Sequence, residues 1–456
     1  MKHMSLKEIA NACGGTYHGD ASLLLKEVDG VAIDSRKIEK DWLFIPIKGA
    51  RVDGHTFIRQ VMDKGALCTL TEQNLGDTSF SYILVESCEA AMKAIAEHYR
   101  VSLGIKVVGI TGSVGKTSTK EMIASVLSQK YKVLKTAGNF NNEIGLPLTI
   151  FNIREEHEVA VLEMGINHFG EMHRLTKMAH PDICVITNIG LCHLENLIDR
   201  DGVLRAKSEM FDYMADDALI VLNGDDDKLS TVTNVKGIEP SFFGLSSNLD
   251  AYADNIKNES LGGVSCSLHL GDADLDVLIP IPGEHMVYNA LAGALIGQKL
   301  GLTSEEIKSG IEALVPVSGR NNLIATENAL IIDDCYNANP ISTKASLDVL
   351  ATADNRKVAI LGDMFELGEN EKELHYDVGK YVAEKGIDLL IAIGELSENT
   401  AKGALSQHSD VMVVHFQTKA DFFTEMDQLL KKEDAILVKA SHGMNFPEVV
   451  EKLRAW

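Results

Sequence analysis

An apolar run from Ile105 to Ile110 gives way to a glycine-containing loop and then to a helical pattern over Lys116 to Lys130. A run that is apolar on both faces fits a strand inside a covered parallel sheet, so this is a strand-loop-helix unit. The same signature returns in EVAVLEMG, DICVITNIG and ALIVLNGDD, each separated by segments of helix length. That alternation predicts one α/β domain over 104–318. Between about Ser241 and Pro282 the pattern shortens to polar alternation (GVSCSLHLGDADLDVLIPIPG), which predicts an antiparallel ribbon at the sheet edge before a helix in EHMVYNALAGALIGQKLG.

After VPVSGRNN a second series begins, with strands predicted in NALIIDD, KVAILGD, DLLIAIG, DVMVVHF and AILVKAS, so 319–456 reads as a doubly wound domain. Upstream, 1–103 mixes short helical patterns with strand-like pieces such as DWLFIPIKG and SYILVES, and contains no phosphate loop. The hinges near Leu103 and Gly319 are short, and no internal repeat or low-complexity linker separates the units.

Composition agrees with three compact units. A chain of 456 residues spans roughly three domains at about 150 residues each, and 45% hydrophobic with 24% charged residues is ordinary globular usage. The formal charge of -23 argues against nucleic-acid binding, which needs lysine and arginine on phosphates, so any anionic ligand must be held by local cations. No apolar run reaches the roughly 18 residues of a membrane span, and the N-terminus lacks the apolar core of a signal peptide. The expectation is a cytoplasmic protein without membrane insertion. Cys13, Cys68, Cys88, Cys184, Cys192, Cys266 and Cys335 are scattered, without a C-x-x-C pair, which speaks against a disulfide framework or a zinc site.

The chemistry starts at GITGSVGKTSTKE, Gly109 to Glu121. In a phosphate loop, backbone N–H groups and a helix N-terminus converge on an anion, a lysine reaches the terminal phosphates, and a hydroxyl binds Mg²⁺. Thr111, Gly112, Ser113, Val114, Gly115, Lys116, Thr117 and Ser118 supply these parts, although Ile110 stands where the first glycine of the longer pattern falls. Ile110 reads as the last strand residue, giving a tighter loop. Glu163 ends the run VAVLE, at the carboxyl edge of a strand where ligands sit in open α/β sheets; alone, such a glutamate is as readily a solvated side chain.

Other motifs give Glu163 its context: TAGNFNNEIGLPLT, EMGINHFGEM, TNIGLCHLE, RAKSEMF, YNALAG, SGR and DDCYNANP. Together they resemble the Mur ligases, ATP-dependent amide-forming enzymes of peptidoglycan precursor synthesis, over essentially the whole chain. The resemblance implies an N-terminal UDP-substrate domain (1–103), a central ATP-binding domain (104–318) and a C-terminal Rossmann-like domain (319–456). NFNNEIGLP, EMGINHFGEM and YNANP are most similar to the step that joins D-alanyl-D-alanine to a UDP-N-acetylmuramoyl tripeptide. The Asn-Pro-Arg type motif of the preceding step is absent.

The resemblance also implies a reaction and a set of residue roles. The γ-phosphoryl of ATP is transferred to a carboxylate, and the amine of the second substrate then attacks the acyl phosphate. Lys116 would bind the terminal phosphates, and Thr117 with Glu163 the first Mg²⁺. A second Mg²⁺ would involve Glu163 and His193, and Lys207 would carry a carbamate that needs a neutral amine. Asn289 would contact the adenine region, Arg320 the γ-phosphate and Asp334 the ribose. Tyr336, Asn337 and Asn339 would order nucleotide or dipeptide, and Thr136, Asn139, Asn141 and Asn142 the substrate side of the cleft. Ser35 and Arg36 would grip the UDP diphosphate, with Asp53, Gly54 and His55 beside it. The pattern departs at GRNN, where a methionine is expected after Arg320, and at Cys335, where a small residue such as serine is expected.

Rival readings are a folylpolyglutamate synthetase, a regulatory phosphate-loop module, and another step of the same pathway that adds a single amino acid. The first begins near its phosphate loop, whereas about 100 residues precede it here. The second would carry an N-K-x-D base-reading motif. The third residue of the tripeptide, diaminopimelate or lysine, is not legible, and a monomer is the expectation.

Overall fold

The computed structural model describes residues 1, 4–49, 51–271 and 273–456. Near the N-terminus, β1 (Thr16–His18), β2 (Val31–Ala32), β3 (Leu43–Phe44), β4 (Cys68–Thr71) and β5 (Tyr82–Leu84) form a sheet ordered β1-β5-β4-β3-β2. Only β1 pairs antiparallel. Helix α1 (Cys88–Leu103) is capped by Ser87, whose hydroxyl accepts from Ala90 N–H, and stops at Gly104 in the left-handed conformation.

Helix α1 belongs to two cores at once. Met92, Ile95, Ala96 and Tyr99 are buried in a cluster that runs from the first sheet to one face of the central sheet. Tyr99 donates to the Ile153 carbonyl at 2.7 Å, and Arg100 reaches the Ala179 carbonyl at 2.8 Å and Asp182 at 3.0 Å. Leu103 therefore ends one sheet's territory without ending the core.

The central sheet comprises β6 (Lys106–Thr111), β7 (Val133–Lys135), β8 (Val159–Glu163), β9 (Ile183–Ile186), β10 (Leu219–Asn223), β11 (Ser241–Gly244), β12 (Ala251–Asn258), β13 (Val264–Leu270) and β14 (Ala273–Ile279), ordered β14-β13-β12-β11-β10-β9-β6-β8-β7. From β7 to β12 the neighbours are parallel; β12, β13 and β14 turn antiparallel. The polar ribbon expected from the alternation thus extends the same sheet. Residues alternate in and out along β13, as one-sided burial requires. Strand β6 runs one residue further than its apolar run, to Thr111. Helices α2 (Lys116–Leu127), α3 (Arg200–Ser208) and α4 (His285–Lys299) flank the sheet, and α4 lies so near α2 that a Cβ on Gly293 would stand 3.1 Å from Met122.

The last sheet contains β15 (Asn322–Ala325), β16 (Ala329–Asp333), β17 (Lys357–Gly362), β18 (Leu389–Ile393), β19 (Met412–Phe416) and β20 (Asp434–Lys439), ordered β15-β16-β20-β17-β18-β19. All pairs are parallel except β15 with β16, and buried clusters cover both faces. Helix α5 (Pro340–Ala351) follows β16. The carboxyl ends of β16, β17 and β20 face the central domain, the edge at which open α/β sheets bind ligands.

Candidate active site

The loop between β6 and α2 borders a cavity of about 760 Å³ between the central and C-terminal domains. Gly112 has φ of 152°, and a Cβ there would sit 1.9 Å from Thr187 Oγ1, so only glycine fits. Gly115, at φ 82°, turns the chain into α2 without a side-chain cap, which leaves the helix N-terminus to an anion. Asn188 braces the loop from β9: its Oδ1 accepts from Val114 N–H at 2.9 Å and its Nδ2 donates to the Val114 carbonyl at 3.0 Å. Lys116 Nζ folds back on the Gly112 carbonyl at 2.8 Å. Burial lowers its ammonium pKa, opposed by Glu163.

Beneath the loop lies a nest of buried charge. Glu163 is 2% exposed; Asn141 Nδ2 donates to its Oε1 at 2.8 Å, while its buried Oε2 has no hydrogen-bond partner. Lys120 Nζ stands 3.6 Å from Oε2, a charge contact beyond hydrogen-bond geometry, and donates to the Thr136 carbonyl at 2.8 Å. Thr136 in turn accepts from the Glu163 N–H through its hydroxyl at 3.0 Å. An unsatisfied, deeply buried carboxylate oxygen and the Thr117 hydroxyl, both at the same cavity, are hard-oxygen donors of the kind that suits Mg²⁺.

Lys207 is 1% exposed on α3, and among the described residues it has no carboxylate partner. Burial, aided by Lys116, pushes its ammonium down to about 8. The nearby acids are engaged elsewhere, Glu209 with the Gly170 N–H and Asp212 with His173, so neither pairs with Lys207. His193 takes a left-handed backbone, φ 52°, and its Nδ1 lies 2.7 Å from Glu366 Oε2. The carboxylate stands out of line with the ring N–H, so the contact is a close approach rather than an aligned hydrogen bond. Burial lowers the imidazole pKa while Glu366 raises it.

The C-terminal domain closes the cavity. Arg320 donates to Thr117 Oγ1 at 3.3 Å and stacks 4.1 Å over the Tyr336 ring. Asp334 has both oxygens engaged: Oδ2 with Lys439 and with Ser346 at 2.6 Å, Oδ1 with the Asn321 N–H at 3.2 Å. Asn321, in place of the expected methionine, has φ 46°, and its amide meets His285 Nε2 at 3.2 Å. Asparagine tolerates this backbone far better than methionine, which accounts for the departure. Asn289 is buried and accepts from Thr119 Oγ1 at 2.8 Å. The side chain of Asn337 accepts from the His442 N–H at 3.3 Å, whereas that of Asn339 caps α5. Cys335 is buried, and burial raises its thiol pKa.

Lys116, Thr117, Ser118, Glu163, His193, Asn289, Arg320, Asp334, Tyr336, Asn337, Asn339, Asn141 and Asn142 share this one cavity. Lys207 lies near Lys116, close enough for their charges to interact. Thr111 is buried behind the loop, Thr136 braces Glu163, and Asn139 is exposed. The N-terminal candidates are not brought to the cavity. Arg36 is exposed and forked onto Asp34, and the Ser35 carbonyl accepts from Lys64 at 2.9 Å. Asp53 holds His55 Nδ1 at 2.7 Å, and Gly54 donates to the Ile47 carbonyl at 3.0 Å. His55, Glu72 and Cys88 gather their donor atoms within 4.8 Å, with Lys48 already paired to Glu72.

Lys120, Asn188, His285, Asn321 and Lys439 complete the site without having been assigned roles from sequence. Lys120 had a signal: four residues after Lys116, it lies one turn further along the same helix face. Asn188 acts by a side-chain brace on the Val114 backbone and Asn321 through its left-handed backbone, neither of which residue type alone announces.

Comparison with known proteins agrees with this architecture. Family models match residues 27–108 (Mur ligase family, catalytic domain), 110–297 (Mur ligase middle domain) and 319–442 (Mur ligase, glutamate ligase domain). The chain is 36% identical to UDP-N-acetylmuramoyl-tripeptide:D-alanyl-D-alanine ligase of Bacillus subtilis (strain 168), covering 98% of both chains. The crystal structure of MurF from Acinetobacter baumannii superposes with a TM-score of 0.91 at 30% identity, covering 99% of each. MurF ligase of Thermotoga maritima, solved in complex with ADP, gives 0.83 at 28% identity over 93% of this chain and 97% of that one.

Proposed function

This chain belongs to the Mur ligase family, and on that premise we propose that it joins D-alanyl-D-alanine to UDP-N-acetylmuramoyl-tripeptide with ATP, releasing ADP and phosphate. The observation that carries the reading is one cavity of a strongly acidic protein lined by Lys116, Glu163 and Arg320, with Lys120 behind Glu163 and Lys207 near Lys116. Such a cluster serves phosphoryl transfer, in which catalysis is positioning and charge neutralisation rather than covalent chemistry by the protein.

The phosphates lie against the α2 N-terminus and Lys116, with Arg320 reaching in from the C-terminal domain. A tripeptide carboxylate beside Glu163 and His193 attacks the γ-phosphorus, and the bond to the β-bridging oxygen breaks, leaving ADP. The dipeptide ammonium gives up a proton to water, the neutral amine adds to the acyl-phosphate carbonyl, and phosphate departs as the amide forms and its nitrogen loses a second proton. Thr117, Glu163 and His193 would hold two Mg²⁺ ions, the last two together with a carbamate on Lys207. Bound there, Mg²⁺ neutralises charge on the transferring phosphoryl group. The carbamate rests on a buried amine with no carboxylate partner; carbamylation turns a desolvated cation into an anion among cations. Ser35, Arg36 and the Asp53–His55 loop remain our assignment for the uridine nucleotide, reached by movement of substrate or loop. We place the enzyme in the cytoplasm as a monomer.

The test is phosphate release from ATP and Mg²⁺ with UDP-N-acetylmuramoyl tripeptide, comparing D-alanyl-D-alanine, single amino acids, and folate with glutamate. Release that requires the dipeptide and yields the pentapeptide is expected. Release only with a single amino acid would move the enzyme to another step of the pathway.

A further inference from the structure

We infer that Glu366 receives the ammonium group of the incoming dipeptide, an inference that rests on the ligase reading above. The acceptor carries its nucleophilic nitrogen as an α-amino group with pKa near 8, mostly cationic at neutral pH. A site for it needs a carboxylate beside the acyl phosphate, on the side from which the C-terminal domain closes.

The carboxylates that line the cavity are committed, and Glu366 meets the cavity through the lining residue His193. Glu89 and Glu143 both pair with Lys93 at 2.8 Å. Glu171 accepts the Asn167 N–H at 2.7 Å and the His168 N–H at 3.1 Å. Asp334 is locked to Lys439, and Glu163 is buried at 2% exposure beneath the loop. Glu366 differs on each count. Its side chain is 58% exposed, it stands on the loop after β17, and its one polar partner among the described residues is His193 at 2.7 Å.

Its backbone supports a functional placement. Glu366 has φ 63°, a left-handed conformation that a non-glycine residue holds at a cost, and His193 opposite is left-handed too. The preceding residue anchors the loop, since Phe365 N–H donates to Ser441 Oγ at 2.8 Å. Phe365 itself is 41% exposed, leaving apolar surface on the same loop. With His193 engaged at the phosphoryl end of the cavity, the open face of Glu366 is left to a substrate cation.

Glu366→Gln keeps the shape and removes the charge, and Glu366→Asp keeps the charge. Steady-state turnover against D-alanyl-D-alanine concentration is measured alongside trapping of the acyl phosphate by hydroxylamine without dipeptide. Hydroxylamine is uncharged near neutral pH, so its attack, which forms a C–N bond and expels phosphate, needs no ammonium site. For Glu366→Gln, KM for the dipeptide should rise about tenfold or more while the hydroxamate rate falls far less, by no more than the loss of the His193 contact entails. Glu366→Asp should recover part of the loss. An unchanged KM, or a hydroxamate rate that falls in parallel, overturns the inference. A wild-type enzyme that yields no hydroxamate overturns the ligase reading and this inference with it.

Discussion

Lys207 is the residue on which the proposed carbamate chemistry turns. A lysine that is 1% exposed ordinarily lies against a carboxylate, because an unpaired buried ammonium is expensive. Here, among the described residues, no carboxylate pairs with it and Lys116 repels it, so burial favours the neutral amine that the proposed carbamate requires. Lys207→Ala should reduce turnover by about 10- to 100-fold, the range for loss of a group that supports a metal site. Added short-chain carboxylates should restore part of it by placing an anion in the vacated space. Failure of every acid to rescue, at unchanged thermal stability, would remove the carbamate from the mechanism. RAKSE located this lysine in the chain, but whether it was paired depended on Glu209 and Asp212 turning to Gly170 and His173, which only the fold decides.

At the scale of the element, the β6–loop–α2 unit is the one we propose for the nucleotide, and its glycines are not interchangeable. Gly112→Ala would drive a methyl into Thr187 Oγ1, displacing the hydroxyl that donates to the Val114 carbonyl at 2.6 Å. Overpacking of this kind costs about 1–3 kcal/mol. The expected outcome is a lower melting temperature and a loss of ADP affinity larger than the stability change, read by thermal unfolding and calorimetric titration. Wild-type ADP affinity would mean that the loop does not hold the phosphates. The unit was legible from its apolar run and its glycine and lysine residues. Less visible was β15, whose Asn322–Ala325 segment is short and partly exposed and so lacks the period that marks a strand. Lys120 was hidden for the opposite reason, since one more lysine on a charged helix looks solvated until β8 brings Glu163 beside it.

For the whole molecule, function depends on surfaces contributed by separate sheets. The strand series in the central and C-terminal parts was readable from apolar runs, because buried parallel strands leave an unbroken mark. Contacts between domains left no such mark: Arg320 on Thr117, Asn321 on His285 and Glu366 on His193 join residues far apart in sequence. The N-terminal candidates show the same limit in reverse. Ser35, Arg36 and His55 lie outside the cavity and are bound to their own neighbours, so the role proposed for them would require substrate to bridge the first sheet and the cleft. These observations converge on one claim, that the two domains assemble a site for making and consuming an acyl phosphate.

The measurement that tests this claim most directly traces heavy oxygen placed in the terminal carboxylate of the UDP-N-acetylmuramoyl tripeptide through a turnover with ATP and D-alanyl-D-alanine. Activation by γ-phosphoryl transfer predicts one labelled oxygen in the released phosphate and none in ADP, with amide formation matching phosphate release. Unlabelled phosphate alongside pentapeptide product would contradict the account, because the carboxylate would then have been activated without ever bonding to phosphorus.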